Sequence, residues 1–134
     1  RRELEAADVE VVDRVSAYVS ARSPGSAIAI RLDRGELIAG ADALGERGTP
    51  SEAVAEAAVG SAIETRDSGA AVDPHLADQL TVFLALIGGR VSVPRLSEHV
   101  ETNLALLGEF GYDVSAERDD GRYVLEAPTP SELS

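Results

Sequence analysis

The sequence predicts a mixed α/β (α+β) fold built from two small consecutive units. Apolar residues recur at helical spacing in several long segments. Between those segments lie short runs of alternating apolar residues bounded by Gly, Asp, Ser and Pro, the pattern of strands and tight turns. Composition also breaks at 68–71, Ser-Gly-Ala-Ala, which places a unit boundary near Gly69.

The first unit opens with Leu4, Ala7, Val11, Val15, Tyr18 and Val19 at helical spacing, so the pattern predicts a helix over 4–21. Acidic residues crowd its first turns, where the positive end of the helix dipole favours them. Ser23-Pro24-Gly25 ends it. Residues 27–32, Ala-Ile-Ala-Ile-Arg-Leu, read as a strand, Asp33-Arg34-Gly35 as a turn, and 36–41 as the second strand of a hairpin. The glycine-containing stretch 40–50 reads as a loop. Thr49 or Ser51 is placed to cap the next helix, with Glu52 completing a capping box to Thr49. That Ala-rich helix spans about 51–66 and stops at Asp67-Ser68-Gly69.

The second unit reads α-β-α-β-β. A helix over 73–87 starts at Asp73 or Pro74 and is broken by Gly88-Gly89. A short strand covers 90–93, and a helix runs from Ser97 to about Phe110-Gly111. Strands at 112–117 and 123–127 flank Asp119-Asp120-Gly121, a strong hairpin-turn signal. Residues 128–134 are polar and Pro-containing and are expected to fray.

The 134 residues suffice for one domain or pieces of two. The chain begins Arg-Arg and not Met, so it is expected to be a fragment of a longer polypeptide. Aromatic residues make up only 4%, so the core must be built from Leu, Val, Ile and Ala. Net charge is −12, and all 12 basic residues are Arg. An acidic, Lys-free chain resembles proteins of salt-loving organisms, a halophilic archaeon for instance. Such acidity does not exclude a nucleic-acid partner, because the Debye length falls to ~3 Å at 1 M salt. The alternative is an ordinary acidic bacterial domain. The absence of Cys excludes disulfides and thiolate metal sites. No apolar run reaches the ~20 residues of a membrane span, so no membrane partner is expected and a cytoplasmic location is favoured.

Two segments have chemical potential. His75-Leu76-Ala77-Asp78-Gln79 opens a helix, where free backbone N–H groups favour phosphate, and Asp78 and Gln79 offer an acceptor and an amide for a ribose or base. The same residues also suit an ordinary solvated first turn. His99 lies in Ser97-Glu98-His99-Val100-Glu101-Thr102-Asn103, one helical turn from Asn103. An imidazole can act as a covalent nucleophile in group transfer, although a partly exposed surface His fits the pattern too. Two His and no Cys make a zinc site a poor fit. The 40–48 loop lacks both the Lys-Ser/Thr of a P-loop and the GxGxxG spacing.

Four stretches in order carry a family resemblance: Gly40-Ala-Asp-Ala-Leu-Gly-Glu-Arg-Gly48, Ser68-Gly-Ala-Ala-Val-Asp73, His75-Leu-Ala-Asp-Gln79 and His99-Val-Glu-Thr-Asn103. Over about 4–125 the chain resembles the C-terminal part of RNA 3′-terminal phosphate cyclases. The resemblance implies that 1–69 is part of a small inserted α/β domain. It implies that 70–127 is the last repeat of a larger domain, a unit similar to the C-terminal domain of translation initiation factor three, with 128–134 as the tail. It further implies an enzyme that uses ATP, with Mg²⁺ or Mn²⁺, to convert an RNA 3′-phosphate end to a 2′,3′-cyclic phosphate through a histidyl-AMP intermediate. In that scheme His99 is the nucleophile, and Leu76, Ala77, Asp78 and Gln79 contribute to the ATP site. His75 is a pocket-wall residue, since its position in the motif can hold another residue such as Tyr. The fragment alone is expected to be inactive. The same family includes a non-catalytic branch acting as a scaffold in ribosomal RNA processing. That branch lacks the nucleophilic histidine, so His99 favours the catalytic one.

Overall fold

The structure is a computed structural model that describes residues 2–129. A short helix, α1 (Arg2–Ala6), precedes an antiparallel hairpin of β1 (Ser26–Arg34) and β2 (Leu37–Gly45), and then α2 (Ser51–Ser68). The second half runs α3 (Pro74–Ile87), β3 (Gly89–Val93), α4 (Glu98–Glu109), β4 (Ser115–Asp119) and β5 (Arg122–Ala127). Its sheet has the order β3-β5-β4, antiparallel throughout. The fold is thus α+β with two small antiparallel sheets, and the expected α-β-α-β-β order is present.

Each half has its own core. Leu32, Ala39 and Ala41 of the hairpin pack with Ala62 of α2, joined by Val9 and Ile30. In the second half Ala77, Val93, Val100 and Leu125 are fully buried between the helices and the sheet. Strand alternation explains the split. Leu125 faces the helices, while its neighbours Val124 and Glu126 point to the other face of the sheet. The Asp120-Gly121 loop forms as the sequence predicts. Both residues have positive φ, 41° and 84°, which a two-residue type I′ hairpin requires and Asp-Gly accepts.

Four expectations for the first half are corrected. The helix predicted over 4–21 ends at Ala6. Asp8 adopts φ 56°, the Val9 N–H donates to Leu4 O (2.9 Å) and the Asp8 N–H to Glu5 O, a closing motif that usually employs Gly. Asp tolerates the left-handed region through its short polar side chain. From Glu10 onward no regular structure forms until Ser26, and Val12, Val15, Tyr18 and Val19 are almost fully exposed. Helical stability comes mostly from burying an apolar face. This Val- and Ser-rich run has modest intrinsic propensity and, among the described residues, no surface to bury against.

The loop predicted over 40–50 is a strand as far as Gly45, because β2 pairs with the whole of β1 and aims Ala39, Ala41 and Ala43 at α2. Its Ala, Gly and Asp residues carry little intrinsic strand preference, so pairing decides. For the same reason the turn moves to Gly35-Glu36, and Arg34 ends β1. The Thr49–Glu52 capping box is also absent. Pro50 is the N-cap of α2, with no side-chain bond to the helix.

Smaller shifts occur in the second half. The strand expected from Tyr112 starts at Ser115, because the Tyr112 N–H is held by Leu107 O (3.0 Å) in the closing turn of α4. Of the tail, Pro128 and Thr129 pass so close over Gly88 that a Cβ there would lie 2.6 Å from Thr129 Cα. Residues 130–134 lie outside the described residues.

The two halves meet around 66–72. Arg34 donates to Arg66 O (3.3 Å) and to Ala70 O, and Arg122 of β5 donates to Gly69 O (2.9 Å). The Ala71 and Val72 N–H groups bond Ser92 O on β3, and Arg95 pairs with Glu64 of α2 at 2.9 Å.

Candidate functional site

The site is built on α3 and α4. Asp73 caps α3, its carboxylate accepting the Leu76 N–H at 2.9 Å, and Pro74 fills the first helical position, where a missing N–H costs nothing. Ala77 and Thr81, one turn apart, are fully buried, and the Thr81 hydroxyl donates to Ala77 O at 2.8 Å. Two small side chains on one face let α3 sit close to the sheet and α4. Ser97 caps α4 by accepting the Val100 N–H at 3.2 Å, and Val100 is the buried anchor of that helix.

Those two anchors bring the predicted segments together. The Asn103 amide donates to Asp78 Oδ1 at 2.7 Å, a direct bond from α4 to α3, with both residues half-buried. A short bond to an ionised acceptor is among the stronger kinds of hydrogen bond. Among the described residues no other hydrogen bond or ion pair engages the Asp78 side chain. His99 lies one turn before Asn103 on the same face of α4 and is exposed. Gln79 and Leu76 are exposed as well. Ala77 has no exposed surface, and its side chain sets how closely α3 packs.

His75 has a different setting. It lines a cleft of about 340 Å³ with Pro74, Asp73, Arg95, Ser61 and the 42–44 segment of β2. Both halves of the chain contribute walls to this cleft. No sequence motif marks Arg95 or Ser61, and Asp42 falls within the 40–48 stretch without a role of its own. The pairing of β2 with β1 and the Arg95–Glu64 bridge put them there. Nor did the sequence reveal that Asp78 and Asn103 touch. The small residues at 77 and 81, at helical spacing, are the one visible hint of close helix packing.

Among the described residues no three His, Cys, Asp or Glu side chains converge closely enough to hold a metal ion. No helix among them is long and apolar enough to cross a membrane.

Residues 1–67 match the family described as RNA 3′-terminal phosphate cyclase (RTC), insert domain. The chain belongs to the RNA 3′-terminal phosphate cyclase family. The RNA 3′-terminal phosphate cyclase of Halobacterium salinarum is 44% identical over 112 residues, covering 83% of this chain and 33% of that protein. Its namesake in Thermococcus kodakarensis is 39% identical over 108 residues, covering 81% and 31%, and that of Pyrobaculum neutrophilum 35% over 126 residues, covering 90% and 35%. The chain therefore spans about a third of the length of the curated relatives it matches. These cyclase matches reach well past residue 67, so the likeness to the family takes in part of the second half as well as the insert.

Proposed function

We propose that this chain is part of an ATP-dependent cyclase that converts an RNA 3′-phosphate end to a 2′,3′-cyclic phosphate, with His99 as the residue that carries AMP. One observation carries the reading: in a chain of this family, the Leu76-Ala77-Asp78-Gln79 turn and the His99 helix are bonded directly through Asp78 and Asn103. A nucleotide held at the first turn of α3 then has a nucleophile within reach on the neighbouring helix. At that helix start Asp73 already takes the Leu76 and Ala77 N–H groups and Pro74 has none, so the His75 N–H is the first-turn donor left for a phosphate oxygen. His99 is exposed and free to approach such a phosphate. On this reading 1–69 belongs to the insert and 70–127 to the last repeat of the larger domain.

The chemistry runs in three balanced steps. A neutral imidazole nitrogen of His99 attacks the α-phosphorus of ATP, a P–N bond forms, and the bond to pyrophosphate breaks. An oxygen of the RNA 3′-phosphate then attacks the same phosphorus, and the P–N bond breaks to return the imidazole. Finally the 2′-hydroxyl attacks the activated RNA phosphorus, loses its proton, closes the cyclic ester and expels AMP. Activation is needed because the phosphate monoester alone has only oxide to expel. The last step is intramolecular, and such proximity is worth ~7–11 kcal/mol when the groups are well oriented. A divalent ion carried on the ATP phosphates would neutralise the charge that develops on the departing pyrophosphate.

The test uses the full-length polypeptide, ATP labelled at the α-phosphate, a divalent ion and high salt, without RNA. Acid-labile, alkali-stable label on the protein is expected. It should be lost in His99→Ala and be transferred to an RNA 3′-phosphate by the wild type. A folded protein that takes up no label at any salt concentration, yet binds RNA, would instead be a non-catalytic scaffold of the same family.

A further inference from the structure

The Asp78–Asn103 bond lies between the two segments that the proposed reaction needs. We infer that Asn103 is a positioning residue for the nucleotide: its amide fixes the Asp78 carboxylate in one orientation and locks the first turn of α3 against the His99 turn of α4. The inference rests on the cyclase reading given above.

The geometry supports more than a packing role. Asn103 Nδ2 reaches Oδ1 of Asp78 at 2.7 Å, and no other hydrogen bond or ion pair engages that carboxylate among the described residues. One oxygen is thus tied back to α4, and Oδ2 remains available to a hydroxyl donor such as a ribose. An Asp at this position without Asn103 would rotate freely and pay rotamer entropy on binding. The partners also have the right rigidity. Asp78 follows Ala77, which has no exposed surface, and Asn103 precedes Leu104, which packs on the same core. Only side-chain rotation is left to control, and the amide controls it. On α4 the same residue sits one turn from His99, so one bond sets both the carboxylate and the nucleophile's distance from it. Displacement of a reacting group by about 1 Å can cost on the order of a hundred-fold in rate.

Single-turnover labelling of the full-length protein with α-labelled ATP, over a range of ATP concentrations, tests this in wild type, Asn103→Ala, and the exchanged pair Asp78→Asn/Asn103→Asp. Asn103→Ala should lose on the order of ten- to a hundred-fold in labelling efficiency, chiefly as a raised ATP concentration at half-maximal rate. Its melting temperature should stay close to wild type. The exchanged pair rebuilds the hydrogen bond with the carboxylate on α4, so it should keep the wild-type melting temperature and fail to recover labelling. Wild-type labelling with an unchanged Asn103→Ala overturns the inference and leaves the cyclase reading standing. Recovery of labelling in the exchanged pair also overturns it, since it would show that the bond acts only structurally. An unlabelled wild type overturns the cyclase reading itself, and the inference with it.

Discussion

Asp73 shows how much one side chain does at the start of α3. It is 4% exposed, its carboxylate accepts the Leu76 N–H, and its own backbone carbonyl takes the Ala77 N–H at 3.0 Å. An N-cap carboxylate relieves one of the helix's unsatisfied donors and complements the positive dipole end. Asp73→Ala should cost about 1 kcal/mol of stability, measured by denaturant titration, while Asp73→Asn should stay near wild type because the amide oxygen can still accept. A larger loss in Asn than in Ala would contradict the capping role. The same carboxylate lines the cleft beside His75, so its removal also alters the wall that both halves share. Cap and hairpin-turn residues such as Asp73, Ser97 and Asp120-Gly121 were legible in the sequence because each does its work within a few residues of itself. Asn103 was legible as a neighbour of His99 in the helix. Its bond to Asp78, 25 positions away, was not, because nothing local encodes which side chain a neighbouring helix will present.

At the scale of elements, the second half was read from its sequence almost intact, and the first half was not. In α3, α4 and the 115–127 hairpin, local propensity, caps and the apolar pattern all agree with the tertiary partner. In 9–25 they diverge. Val11, Val15, Tyr18 and Val19 have helical spacing, but the described structure offers that stripe nothing to cover, and Val12, Val15 and Val19 are each more than 80% exposed. In β2 the divergence has the opposite sign: Ala39, Gly40, Ala41, Asp42 and Ala43 lack strand preference and form a strand because β1 is there to pair with. The exposed segment yields a direct prediction. Val15→Lys should change stability by no more than about 0.5 kcal/mol, as for surface substitutions generally, and limited proteolysis should cut within 12–24 before any other site. If the segment were a packed helix, the same substitution would bury an unpaired charge and cost several times more. A thermal melt of the single variant separates the two.

At the scale of the whole molecule, the junction between the halves decides whether they move as one. Arg34 reaches it from the hairpin and Arg122 from β5, and their guanidinium groups converge on the carbonyls of Arg66, Gly69 and Ala70, at the negative end of the α2 dipole. Among the described residues each Nε is buried without a hydrogen-bond partner, a cost that the Nη bonds must offset. Gly69, at φ 67°, turns the chain so that its carbonyl faces Arg122, and Ser92 holds Ala71 from the other side. The two arginines therefore grip consecutive carbonyls from opposite halves. Releasing one should loosen the segment that the other holds. Arg34→Ala and Arg122→Ala should each cost about 1–3 kcal/mol, the range for leaving buried polar groups unpaired. The double variant should fall short of the sum by more than ~0.5 kcal/mol, because contacting networks couple while distant sites add. Lys at either position should rescue poorly, since a single ammonium cannot fork as Arg34 does between two carbonyls or as Arg122 does between Gly69 O and the Asp119 carboxylate. Amide exchange at Ala71 and Val72 should speed up in all three variants. Strict additivity, with exchange at those amides unchanged, would mean that the arginines brace their own halves independently and that the cleft around His75 owes its shape to the Arg95–Glu64 bridge and the Ser92 bonds instead.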